Sequence, residues 1–299
     1  MSSSTLNIAL MSTACGLTIT GATITLFLIH WLKVKTRFSS YIRILLLSDI
    51  LFSIMTIVAR TISTGPQSYG ICSTLQFFVV FSSIMSFYWT LSFAFNTYTI
   101  VNRETQDIEQ YFLKHLAASV VISLLFAGVP AIFNAYGVSR HGGCGVNGEL
   151  TNGNAVTFII QYIPLLICFF LILCFYGLVL IRLYQCAKEE NVDVMHLKSV
   201  LYQFVPYPLI LFICGTPGTV ALIITMTTGK DIQPLLLAGA FMYRSIGFLN
   251  SVVYGLHNEM KKKLKEKFSK QRIVEYEYSI EELDRQLSVE SMKYDPTFN

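Results

Sequence analysis

The chain has 299 residues, 53% hydrophobic and 13% charged, with a net charge of +4. Soluble domains carry roughly 25% charged residues, and 18 of the 40 charged side chains here crowd into positions 258–299. The first 257 positions hold too little charge to cover a water-facing surface, which excludes a soluble fold and makes lipid the solvent for most of the chain.

A helix needs about 20 largely apolar residues to cross the hydrocarbon of a bilayer. Seven segments meet that requirement, at 8–31, 42–62, 72–101, 112–136, 155–186, 197–226 and 234–257. The first is long and lacks a basic flank ahead of it, so it is expected to act as an uncleaved signal anchor. The third, fifth and sixth exceed the bilayer thickness and are expected to tilt or to project into water. Backbone polar groups in lipid must be satisfied within each segment, and no ten-residue alternating pattern supports a barrel. The expected fold is an all-α membrane protein, a seven-transmembrane helix bundle over residues 1–257.

Orientation follows from the cations in the short loops. With the N-terminus outside, the inner loops and flanks carry Lys33, Lys35, Arg37, Arg43, Arg103, Lys114, Arg182, Lys188 and Lys198, and the outer loops only Arg140 and Lys230. The expected arrangement is an extracellular N-terminus and a cytoplasmic C-terminus. Beyond the last span, residues 258–271 place Met260, Leu264 and Phe268 on one helical face among lysines. This segment is expected to be a juxtamembrane amphipathic eighth helix lying on anionic inner-leaflet lipids; a stop-transfer charge cluster without fixed structure is the alternative. Residues 272–299 are acidic and poor in apolar side chains, which predicts a disordered cytoplasmic tail open to kinases and arrestin-like proteins.

Of the seven cysteines, Cys72 at the outer start of the third span and Cys144 in the second outer loop both face the oxidising side, which predicts a disulfide between them. The others read as small apolar fillers. Charges inside hydrocarbon are costly and are functional candidates by default. Asp49 lies in the inner half of the second span, with Asn250 and Ser251 of the seventh expected at its depth; a plain helix–helix hydrogen bond would explain it as well. Arg60 is eleven residues further out, where it either snorkels to the headgroups or lines a pocket. Arg244 is too deep in the seventh span to snorkel and calls for a water-filled cavity or a carbonyl-rich partner.

The seventh span ends in Asn250-Ser251-Val252-Val253-Tyr254. N-S-x-x-Y at that place resembles the N-P-x-x-Y switch of rhodopsin-like receptors, with Ser for Pro. The surrounding FLNSVVYGLHNEMKKK is closer to the cyclic-AMP-receptor-like family of G-protein-coupled receptors, as are Leu47-Ser48-Asp49, Cys72 followed by Gln76, Phe77 and Phe78, and the pair Trp89-Thr90. There are departures: the third span ends without an Asp-Arg-Tyr lock, and the sixth carries Pro206, Pro208 and Pro217 but no Trp. The resemblance implies a plasma-membrane receptor that passes an extracellular ligand signal to a heterotrimeric G protein. It further implies a polar switch of Asp49, Asn250, Ser251 and Tyr254. The family's pocket residues form no motif to carry over; the charges inside the spans make Arg60 and Arg244, with Gln76, the candidate ligand pocket, and the inner-side cations Arg103, Arg182, Lys188 and Lys198 are expected to face the G protein. The ligand itself does not carry over.

Other classes fit less well. A retinal protein needs a lysine in the seventh span, and 234–257 has none. A small-solute transporter or channel remains the alternative, although prolines fall only in the later spans and break the symmetry of a repeat architecture. The ionisable residues inside the spans compose no catalytic set. No cofactor, metal or nucleic-acid partner is expected.

Overall fold

The structure, a computed structural model, describes residues 3–34, 39–62, 69–103, 109–139, 143–147, 150, 153–186, 205–230, 232–256 and 260–269. Its long helices are α1 (Ser3–Trp31), α2 (Ser39–Thr61), α3 (Tyr69–Arg103) and α4 (Glu109–Ile132). After a short hairpin come α5 (Gly153–Thr157), a π-helical turn (Phe158–Tyr162) and α6 (Ile163–Cys186), and then α7 (Pro206–Thr228), α8 (Gln233–Arg244) and α9 (Ile246–Gly255). Residues 260–269 are also helical. Six spans are each long and apolar enough to cross a membrane; α8 and α9, bent by 43° at their junction, supply one more if the pair is a single span. The chain is therefore a multi-pass, all-α membrane protein.

Helices form here because a peptide group in hydrocarbon has no water to bond. Many Ser and Thr residues inside them obey the same constraint. Ser48, Thr90, Thr97 and Thr219 each donate to the carbonyl four residues back, at 2.8–3.0 Å, and so carry no unsatisfied hydroxyl into the apolar phase. The outer faces stay apolar and uncovered: Ile132 is 77% and Phe133 75% exposed, which suits lipid and would be costly in water.

Helix ends follow local chemistry. Lys33 takes a positive φ of 49° after α1, and the Val34 N–H reaches back to the Ile29 carbonyl. The fourth span ends at Ile132, four residues before the expected limit, because Asn134 turns the chain with φ 52° and the Ala135 N–H bonds the Pro130 carbonyl. Tyr136 thus leaves the span for strand β1 (Tyr136–Val138), antiparallel to β2 (Cys144–Val146), with Tyr136 opposite Val146 and Val138 opposite Cys144. Burial pushes the Tyr136 phenol well above its ordinary pKa, keeping it neutral. Of the expected sixth span, 197–204 lies outside the described residues.

The Cys72–Cys144 disulfide is present, with a Cα separation of 4.8 Å, inside the roughly 4.4–6.8 Å window for a bridge. It ties the hairpin to the start of α3, beside the end of α2 at Ala59. α3 is the central helix, packed against α2, α4, α6 and the hairpin. At the opposite end of the bundle Tyr41, Trp89, Phe93, Tyr207 and Tyr254 form a buried aromatic cluster. Met260 of the final helix is buried in this cluster and Leu264 packs on it, whereas Phe268 is exposed. Lys267 of the same helix donates to the Trp31 carbonyl at 3.1 Å, with its Nζ 3.6 Å from the centre of the Trp31 ring.

Candidate functional site

Asp49 is buried in the middle of α2. A carboxylate there costs roughly 3 kcal/mol on insertion scales unless donors meet it. Two do. The Ser86 hydroxyl of α3 donates to Oδ1 at 2.7 Å, and the Asn250 amide of α9 donates to Oδ2 at 3.1 Å. Both carboxylate oxygens are thus engaged, one by each neighbouring helix. Hydrogen bonds to a charged group contribute about 1.5–3 kcal/mol each, enough to offset the burial.

Ser251, expected as a second donor from the seventh span, instead donates to the Gly247 carbonyl of its own helix at 2.7 Å. Ser86 fills the place assigned to it. Tyr254 is fully buried in the aromatic cluster, one turn along α9 from Asn250 and away from the disulfide.

Close approach of α9 to α2 depends on Gly247. A Cβ there would stand 2.6 Å from the Asp49 Cβ and would also collide with the Thr18 methyl of α1. Thr18 accounts for the bend between α8 and α9. In an unbroken helix the Phe248 N–H would bond the Arg244 carbonyl. Here the Thr18 hydroxyl stands between them, accepting from the Phe248 N–H at 3.2 Å and donating to the Arg244 carbonyl at 2.8 Å. A side chain inserted into the helical ladder is a recognised cause of a sharp kink.

Removing that hydroxyl has a predictable outcome. Thr18→Val keeps the volume but loses both bonds, each contributing about 0.6 kcal/mol between membrane helices. Its thermal stability is expected to fall by about 1 kcal/mol, with the 43° bend narrowing as the ladder rejoins. Thr18→Ser, which keeps the hydroxyl, is expected to match the parent. Spin-label distances across α8 and α9 would read the bend.

Beside this arrangement lies a cavity of about 20 Å³, walled by Thr18, Asp49, Ser83, Ser86, Tyr243 and Arg244 among others. Its lining is mostly apolar, with Phe52, Phe87 and Ile246 beside the polar groups, and it is large enough for about one water molecule.

The other sequence candidates are scattered. Arg244 ends α8; its Nη1 donates to the Ala240 carbonyl at 3.0 Å, and its Nε is buried with no hydrogen bond. Arg60, at the end of α2, runs beside Gly143 of the hairpin. Gln76 is partly buried one turn into α3 from Cys72. Arg103 is the last residue of α3. Arg182 sits in the final turns of α6, partly buried, with its Nε lacking a hydrogen bond. Lys188 and Lys198 lie outside the described residues, as does all of 270–299.

Sequence reasoning missed Thr18 and Ser86. Both are hydroxyls in apolar helices, indistinguishable in sequence from the many that bond their own backbone. No protein-family model and no curated protein matches the chain.

Proposed function

We propose that the chain is a plasma-membrane receptor, similar to the cyclic-AMP-receptor-like family, that couples an extracellular ligand to a heterotrimeric G protein. The observation that carries this reading is the Asp49 carboxylate held between Ser86 of α3 and Asn250 of the N-S-x-x-Y segment, next to a helix break. A buried charge shared by separate helices and set beside a bend is an element with two possible arrangements, and a ligand shifts such an element by its differential affinity for the two.

In this reading α8 and α9 are one bent seventh span. The N-terminus and the disulfide face outward, while the aromatic cluster and the basic helix 260–269 face the cytoplasm. Lys261, Lys262, Lys263 and Lys265 of that helix are exposed and suit anionic lipid headgroups. Arg103, Arg182, Lys188 and Lys198 meet the G protein. Nucleotide exchange occurs on the G protein, so the receptor itself needs no catalytic residue. A kinase-accessible tail at 272–299 would recruit arrestin-like proteins.

The test is a reconstitution of the purified chain with Gα and Gβγ, following nucleotide exchange across a panel of small-molecule ligands that includes cyclic nucleotides. A ligand that stimulates exchange supports the reading. Solute flux through proteoliposomes without any stimulated exchange would replace it with the transporter reading.

A further inference from the structure

Charge is unevenly shared at the end of the bundle that holds the aromatic cluster. Lys33, Arg43 and Lys114 are exposed there, as are Lys261, Lys262, Lys263 and Lys265 of the helix 260–269. Among the described side chains at that end the acid is Glu266, and it pairs with Lys263 at 3.4 Å. Met260 and Leu264 of this helix turn into the bundle, and Lys267 sits on Trp31. At about 100° per residue Lys262 stands about 200° from Met260 and so points away from the bundle, with Lys261 and Lys265 on its flank. These three lysines make no ion pair among the described residues. Phe268, on the same side as Lys261, is 49% exposed.

The sequence supplies the opposite charge a few residues further on. Residues 275–284 carry Glu275, Glu277, Glu281, Glu282 and Asp284 and no cation. The loop acids Glu104, Asp107, Glu189, Glu190 and Asp193 are interleaved with Arg103, Lys188 and Lys198, so those loops offset much of their own charge. Lys265 and Lys262 lie about 6 and 11 Å back along the helix from Ser269. Residues 270–274 reach up to about 17 Å when extended, enough to turn the chain and bring the acidic stretch onto those lysines.

We infer that residues 275–284 fold back on helix 260–269, their carboxylates on Lys261, Lys262 and Lys265, and form a charge-held latch on that face. One exposed ion pair is weak by itself. Several together hold, because the tether is short enough to give an effective concentration in the millimolar range. Tyr276 and Tyr278, set between the acids, offer apolar cover for the exposed Phe268 ring. The closed latch takes the lysines that otherwise meet anionic lipid. Phosphate on Tyr276, Tyr278 or Ser279 tightens it, each adding a charge of about −1.5 to −2. Helix and tail are neighbours in one chain on one side of the membrane, so the latch does not depend on the receptor reading.

The experiment is backbone NMR relaxation of the isotope-labelled full chain in non-ionic maltoside micelles at low salt, reading order parameters along the tail. Residues 275–284 are expected above about 0.6, the boundary of flexible backbone, and residues 288–299 below it. Lys261→Gln, Lys262→Gln and Lys265→Gln together are expected to drop 275–284 below about 0.6. Salt at about 1 M, which cuts the screening length to about 3 Å, is expected to do the same. Lys230→Gln, an exposed cation beyond the far end of α7, is expected to change nothing. Should the lysine variant fail to fold, Glu281→Gln, Glu282→Gln and Asp284→Asn together remove charge from the other partner and are expected to free the stretch as well. A tail flexible throughout in the parent overturns the proposal. So does order at 275–284 that survives the charge-removing variants or high salt, since charge would not be what holds it. Order lost in micelles doped with phosphatidylglycerol also overturns it, by assigning the lysines to lipid headgroups, whereas order retained there supports the latch.

Discussion

Replacing Asp49 with Asn is expected to leave the protein folded, inserted and able to bind ligand, while ligand-stimulated nucleotide exchange falls at least about tenfold, a difference of about 1.4 kcal/mol. The geometry explains why folding survives. Asn at this position can accept from the Asn250 amide with its carbonyl and donate to the Ser86 hydroxyl with its NH₂, because a hydroxyl accepts as readily as it donates. Both contacts, now at 2.7 and 3.1 Å, persist in neutral form. What disappears is the charge. If the cluster only joins helices, the variant signals as the parent does. If the charge sets the balance between two arrangements of α2, α3 and α9, exchange collapses while binding remains. Measuring surface expression, ligand affinity and exchange on one preparation separates the two outcomes.

Gly247→Ala is expected to be strongly destabilising. Alanine favours a helix over glycine by up to about 1 kcal/mol, so an uncrowded position would gain. At 247 the new Cβ meets the Asp49 Cβ at 2.6 Å and Cγ at 3.0 Å, with the Thr18 methyl closer still. These are not the free ends of flexible side chains. Asp49 is fixed by two hydrogen bonds and Thr18 by the helix break it fills, so α9 itself must retreat. Overpacking of this kind costs about 1–3 kcal/mol, and retreat also lengthens the Asn250–Asp49 bond. A clear drop in unfolding temperature is expected. Gly255→Ala, eight residues further along, meets nothing within 4 Å and is expected to be neutral or mildly stabilising. Equal behaviour of the two variants would show that α9 does not need its close seat against α2.

Much of this arrangement was legible because depth in a membrane is set by counting. Asp49 and Asn250 lie similar distances from the ends of their spans, so their meeting follows from antiparallel helices of fixed rise. Cys72 and Cys144 were legible for a similar reason, since both fall at one face of the bundle. The break at Ser245 was not. Nothing in AFMYRSIGFLN forbids a straight helix; the interruption comes from Thr18, 230 residues away from the Phe248 N–H that it captures. Ser86 was hidden as well, because Ser82 and Ser92 on the same helix bond their own backbone carbonyls. Only the neighbouring helix decides which serine turns outward from its own ladder. The π turn at Phe158–Tyr162 and the backbone contact of Gly239 with Gly218, where a Cβ would stand 2.6 Å from the opposing Cα, likewise depend on partners that one segment cannot reveal. Tyr136 was placed in a span because its neighbours are apolar; Asn134, able to turn the chain, was the signal that it had ended.

The seat of Lys267 on Trp31 gives the protein an intrinsic optical reporter. The chain has two tryptophans. Trp89 is wholly buried and Trp31 is 38% exposed, so their indoles experience different surroundings. An ammonium 3.6 Å from the Trp31 ring perturbs that chromophore and leaves the other untouched. Any motion that lifts residues 260–269 off the end of α1 must therefore change the emission of one tryptophan alone. With Trp89→Phe as background, the docking of the last helix can be followed in real time on unlabelled protein.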